Sequence, residues 1–350
     1  MTSKLFSLWL AVLCVLWLAS PAYLSTHDFY NGKTITIIKG SEAGGATDMR
    51  TKVMLPFLRK YIPGNPTIMV EYMPGGGGRK GANYIYRTTR PDGLTIGAPG
   101  SSFVPLAVLG EPGVQYDLEK FIYLGSSTSL NRAVFLTRSE LGLTNLEKLR
   151  GALGIRVGAQ SVGHDVYIKG RLFAWLLDLK QPKFVVGYAS PELNLALRRG
   201  EVDARSGHPE TLLAQDPQFF DKGLTHFHAT LDIPKGNKHP RLASLPDLDN
   251  FAKNDRDEKL LALFRAFRIA GHPFLLPPRV PEERVEILRE AMRNIFRDPE
   301  FHSEFKKLTT EDSTPLFPEE HEKVMKGIPK HPEVIELFKT LAGAGPLPSR

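Results

Sequence analysis

Four short clusters of small, hydroxylated or acidic residues sit where β-like runs give way to helical spacing. They are Ala43, Gly44 and Gly45 with Thr47 and Asp48; Gly75, Gly76, Gly77 and Gly78; Gly100 with Ser101 and Ser102; and Ser161 with Gly163 and His164. A helix N-terminus presents unpaired N–H groups and about half a positive charge, so such joints can hold a carboxylate or phosphate without a lysine. Glycine costs backbone entropy, and four in a row in "EYMPGGGGRKGANYIYR" imply a main chain that bends sharply and stays bare for a close approach. Tyr188 and Ser190 in "GYASPE" form a similar joint, and Arg205 in "GEVDARSG" completes the candidate ligand-binding set.

Competing chemistries fit less well. Gly76, Gly78 and Gly81 match the dinucleotide spacing, but no acidic residue closes the next strand-like run, 94–98, where a ribose partner belongs about 20 residues on. A phosphate-binding P-loop fails because Ala82 follows Gly81. Ser161, His164 and Asp165 could make a hydrolase triad, yet they crowd one short segment and no G-x-S-x-G elbow exists. His226 and His228 could begin a metal site, but no third ligand is evident, so neither a metal nor a cofactor is expected. Asp48 and Asp165, at helix starts, also suit capping.

The elements that must position these joints come in two batches. Strand-like runs at 34–38, 67–72, 94–98 and 121–124 each lead through a loop, the first three into helical patterns, and Pro56 predicts a kinked or short first helix. "GSSTSLNR" reads as a hinge. The second batch has strands at 133–137, 155–157 and 183–186, a capping box of Thr144 and Glu147, and a helix opened by Ser190 and Pro191 and closed by Gly200. Ile168, Leu172, Trp175, Leu176 and Leu179 form a core stripe. Beyond about 229 the chain returns to the first batch through the strand-like "FRIAGHPFLL" and a helix over 281–296; the tail "GAGPLPSR" reads as frayed. The fold class is α/β, with two domains of mainly parallel sheet flanked by helices.

The N-terminus has one basic residue, Lys4, an apolar run over 5–18 and a small-x-small site at Ser20-Pro21-Ala22, the pattern of a signal peptide over 1–22; an uncleaved anchor helix is the alternative. Cys14 is the only cysteine and falls inside it, so a mature chain would have no disulfide, thiol chemistry or cysteine-bound zinc. The formal charge of +7 becomes +6 when Lys4 is removed, and the basic residues are scattered. That excludes a nucleic-acid tail and suits an anionic ligand.

"GSEAGGATD", "EYMPGGGGRKGANYIYRTTRPDGLTIG", "VGAQSVGHDVYIKGRLF", "YASPELNLALRRGEVDA" and "PPRVPEERVEILREAMRNIFRDPEF" follow one another over about residues 30–310 as in the Bug family. The chain resembles those periplasmic receptors of tripartite tricarboxylate transporters. The resemblance implies a two-lobed Venus flytrap with lobe I over 27–128, lobe II over 129–232 and a return to lobe I with C-terminal helices over 233–340. It further implies a non-enzymatic, monomeric periplasmic receptor that binds a small organic anion through backbone N–H groups, hydroxyls and waters and passes it to membrane subunits. An exported α/β hydrolase and a sensor input protein are the alternatives. Two departures stand out: Lys39, Ser41 and Glu42 replace the proline-rich stretch usual before the glycine pair, with Glu42 either near the pocket or turned away, and "RSGHPETL" differs from the common form.

Overall fold

A computed structural model describes residues 29–350 apart from 45, 131, 189 and 310. The leader assigned to 1–22, with Cys14, therefore lies outside the described residues, as does Gly45. No helix among the described residues is long and apolar enough to cross a membrane.

The strands are β1 (Thr34–Lys39), β2 (Thr67–Tyr72), β3 (Thr95–Ala98), β4 (Ile122–Gly125), β5 (Ala133–Arg138), β6 (Arg156–Gly158), β7 (Lys183–Val185), β8 (Ala204–Gly207), β9 (Thr225–Leu231) and β10 (Phe274–Leu276). The helices are α1 (Ala46–Tyr61), α2 (Arg79–Arg87), α3 (Phe103–Val108), α4 (Leu146–Gly151), α5 (Asp165–Leu176), α6 (Ser190–Arg198), α7 (Pro209–Gln215), α8 (Gln218–Asp221), α9 (Asp255–Ile269), α10 (Glu282–Arg297), α11 (Pro299–Thr309), α12 (Pro318–Lys326) and α13 (Pro332–Ala342).

The strands make two five-stranded sheets, ordered β2-β1-β3-β10-β4 and β7-β6-β8-β5-β9. Ile35, Ile37 and Ile38 of β1 are all buried, the unbroken apolar run of a strand covered on both faces. Each sheet is mainly parallel with one antiparallel strand, β10 in the first and β5 in the second. Those are the first strands laid down after each crossing between lobes. The chain leaves β4 at the cleft and enters the second lobe at its cleft-facing edge, so β5 must run away from the cleft; β10 does the same on the return. The crossing at 126–128 is itself paired, Ser126 exchanging N–H···O bonds of 2.9 Å with Leu316.

One apolar core lies under α1 and α10 in the first lobe, with Ile37, Phe57, Leu288 and Phe301. A second, with Val134, Leu193 and Phe219, fills the outer half of the other lobe. A third runs from Phe103 and Ile85 through Phe264 and Phe338 to Phe135 and Phe173, spanning both lobes. Helix α13 packs against both α9 and α5, placing the C-terminal helix on the second lobe.

Several local expectations are corrected. Helix α1 is not short: it continues through Pro56 for 16 residues. The cap of α4 is Asn145, whose side chain accepts the Lys148 N–H at 2.9 Å, not Thr144. In "FRIAGHPFLL" the first three residues end α9, and only Phe274–Leu276 is strand. The tail is not frayed. Arg171, fully buried in α5, needs acceptors, and the tail supplies them: its guanidinium donates to the carbonyls of Leu341 at 2.7 Å and Gly345 at 2.8 Å. Trp175 Nε1 donates to Pro348 O at 2.9 Å, and Arg350 pairs with Asp178 at 3.1 Å and buried Asp257 at 2.9 Å.

Candidate functional site

The carboxyl ends of β1 and β3 face those of β6 and β8 across a cleft. Between them lies a cavity of about 380 Å³, bounded by Ser101, Ser102 and Leu106 on one side, Gly163, His164 and Asp165 on the other, and Phe267 and Arg268 of α9 at its floor. The cavity thus brings together Ser101 and Ser102 with Gly163 and His164. A second cavity of about 160 Å³ lies beside the crossing segment, lined by Arg50, Thr128, Arg132, His208 and Glu311 among others.

Asp48 shapes its loop. Its carboxylate is fully buried and accepts from the Gly44 N–H at 2.7 Å, the Tyr72 hydroxyl at 2.8 Å and Lys52 at 2.9 Å. Burial opposes the charge, but those three donors outweigh it and hold the carboxyl below its ordinary value. Thr47 hydrogen-bonds Ser41 at 3.2 Å. Ala43, Gly44 and Glu42 are exposed at the rim, and Glu42 lines none of the cleft cavities.

The glycine run has a second cause besides an open backbone. Gly75, Gly76, Gly77 and Gly78 all have positive φ, between 56° and 133°, and a Cβ on Gly78 would stand 2.1 Å from the Pro99 carbonyl oxygen. The loop before α2 is therefore seated directly on the loop that carries Ser101 and Ser102.

The second lobe carries a dense charge network. His164 caps α5, its Nδ1 accepting the Val166 N–H at 3.2 Å, so its proton sits on Nε2. Asp165 meets Lys169 at 2.7 Å, Arg268 at 3.0 Å and His208 at 3.4 Å. Burial works against the Asp165 charge, but Arg268 and Lys169 prevail and hold its carboxyl well below the ordinary range. Lys169 is fully buried, which brings its ammonium down to about 8, and it donates to His208 Nε2 at 2.9 Å. His208 therefore accepts as the neutral ring, with burial and then Lys169 lowering its pKa.

The remaining candidates lie off the cavity. Ser161 is exposed; Tyr188 is half-buried against the second-lobe core; α6 begins at Ser190, whose side chain is not described. Arg205 is buried behind β8, donating to Ser206 O at 3.2 Å and to the Asn194 amide oxygen, and burial brings its guanidinium down to about 10. His228 is buried on the Thr137 hydroxyl at 2.9 Å, and no group of three or more potential metal ligands exists among the described residues. Sequence reasoning missed Arg50, Lys169, His208, Arg268 and His272. The i,i+4 pair Asp165–Lys169 was a readable signal; the others converge only in the fold.

No family model matches the chain, and no curated protein matches it. Among solved structures it is similar to the periplasmic binding protein BugD (20% identity, TM-score 0.59, covering 90% of this chain and 99% of that one). It is also similar to a TctC solute-binding protein from Polaromonas (17%, 0.64, 89% and 98%) and to MatC from Rhodopseudomonas palustris with bound malate (17%, 0.56, 89% and 99%). The chain thus has the two-lobed periplasmic-binding-protein fold.

Proposed function

We propose that the protein is an exported solute receptor that captures a small organic acid between its two lobes. The observation that carries this reading is the interlobe cavity of about 380 Å³, where Ser101 and Ser102 face Gly163 and His164 above Arg268. Hydroxyls, backbone and a cation converge there, the donor set a carboxylate requires. The binding proteins of the same fold include one holding malate and one holding adipate. Delivery to the membrane subunits of a tripartite transporter, and residence in the periplasm after removal of residues 1–22, belong to the same reading.

A hydrolase is disfavoured by a specific contact. His164 Nδ1 is committed to the Val166 N–H, and exposed Ser161 meets His164 among the described contacts only through backbone, its carbonyl accepting the His164 N–H at 3.1 Å. Capture without turnover fits better, with closure driven by contacts the ligand makes to both lobes at once.

The test is a melting panel of di- and tricarboxylates, aromatic acids, amino acids and neutral sugars. An acid at about 100 times its Kd stabilises by roughly 2.7 kcal/mol, a rise on the order of 5 to 10 °C. The same acid lowers the radius of gyration in small-angle scattering. Shifts from sugars with none from acids would sink the proposal.

A further inference from the structure

Lys39 ends an otherwise apolar strand, TITIIK, and its side chain points under the first turns of α1, only 3% exposed. An ammonium taken so far out of water needs an anion or several acceptors. No described carboxylate pairs with it: Asp48, whose field it feels, is held by Lys52, Gly44 and Tyr72. Beside it, Arg50 donates to His272 Nε2 at 3.3 Å and pairs with Glu311, but its Nε is buried with no hydrogen-bond partner. Since Arg50 is a donor, His272 accepts as the neutral ring and brings no negative charge. Burial, then Arg50, Arg268 and Lys39, keep it unprotonated.

These groups surround a small cavity of about 20 Å³, lined also by Thr47, Thr51 and Ser127. A water-sized occupant needs upwards of about 10 to 15 Å³, so the space takes one such atom and not a whole carboxyl group. It shares Arg50 with the cavity of about 160 Å³, and the residue that follows its Gly100 is Ser101, which lines the large one.

We propose that Lys39 and Arg50 form an anion subsite that holds a single negatively charged atom, either one oxygen of the acid bound in the cleft or a free halide. The first source rests on the receptor reading above; the second does not. Lys39 is then a charge-reading residue for the cleft, rewarding a ligand that places an anionic oxygen on the first-lobe side.

The experiment compares wild type with Lys39→Met, and with Lys39→Gln should the methionine variant not fold. Chloride-35 line broadening reports chloride on the protein, and titration calorimetry with malate and adipate reports acid binding. The proposal expects either the broadening to disappear in the variant or an acid affinity to fall about tenfold to a hundredfold, the loss typical of a hydrogen bond to a charged group. Displacement of chloride by malate in wild type assigns the subsite to the ligand's oxygen; persistence assigns it to a free halide. Equal broadening in the two proteins, together with acid affinities equal within about twofold where acids bind, overturns the subsite. If wild type binds neither acid nor any member of the melting panel, the receptor reading fails while the chloride comparison still decides the subsite.

Discussion

The two walls of the cleft hold their buried charges in opposite ways. In the second lobe Asp165 is ringed by Lys169, Arg268 and His208, and each member of the network has a partner. In the first lobe Lys39, 3% exposed against 0% for Lys169, feels Asp48 but pairs with no described carboxylate, and Arg50 Nε is unpartnered. The closed network fixes the start of α5 and the floor of the cleft, and of its basic members only Arg268 also lines the large cavity. An open one leaves donors for something that is not part of the chain. The difference separates Lys169 and His208, which build the site, from Lys39 and Arg50, which read what enters it.

The largest expected effect tests that separation through stability. Asp165→Ala removes the carboxylate that pairs with Lys169 and Arg268, and breaking a buried ion pair from one side typically costs about 3 to 5 kcal/mol. Lys39→Met removes a charge that no described carboxylate pairs with and replaces it with apolar bulk of similar length, so stability should hold or rise. Urea melts of the two variants measure both. A loss in Lys39→Met as large as that in Asp165→Ala would show that Lys39 is structural and erase the contrast.

Much of the fold was legible because alternation of strands and helices is local. The joints at Gly100, Ser101, Ser102, Gly163 and His164 were legible because small residues at strand ends have few other uses. The charge network was not: Arg50, His208, Arg268 and His272 come from separate elements, and nothing in their spacing says that they meet. Lys39 was no more legible: by pattern it falls in the loop after the 34–38 run, and its burial comes from the fold. The tail misled for a physical reason. A Gly/Pro-rich terminus reads as loose, yet Arg350 has only 8% of its side chain exposed, and its acceptors Asp257 and Asp178 lie on elements far earlier in the chain. Thr144 and Asn145 are both good caps, and the sequence could not choose between neighbours.

A smaller effect separates the two lysines by titration. Burial holds both ammoniums down to about 8, against 10.5 ordinarily, with Asp48 opposing and Arg50 adding to the shift at Lys39, and Asp165 opposing at Lys169. Below pH 8 both are charged in the folded and unfolded states, and the burial penalty is fully present. Above pH 8 the unfolded chain binds more protons than the folded one, so stability rises with pH towards 10.5. Acid affinity should move the other way, falling as Lys39, flanked by Asp48, Arg50 and neutral His272, loses its charge. In Lys39→Met the rise in stability between pH 8 and 9.5 should shrink by about 1 to 2 kcal/mol. The fall in affinity over the same range should flatten. A variant that keeps both pH dependences unchanged would place the titrating group at Lys169.

The smallest effects probe the first-lobe rim, where the loops that carry the cleft hydroxyls touch. Gly78 and Gly100 both have positive φ, 91° and 96°, so alanine at either meets the same left-handed backbone penalty, about 1 to 2 kcal/mol. Their surroundings differ. A Cβ on Gly78 would lie 2.1 Å from Pro99 O, which is backbone and cannot swing aside, whereas a Cβ on Gly100 would have nothing within 4 Å. Gly100→Ala should therefore cost only the backbone term in stability. Gly78→Ala should cost more, because the two loops must separate, and it should weaken binding by displacing Ser101 and Ser102 together. Equal stability losses in thermal melts would mean that the Pro99 contact yields freely. In that case the glycine run serves the ligand's approach alone, and the first-lobe rim is less firmly built than the network facing it.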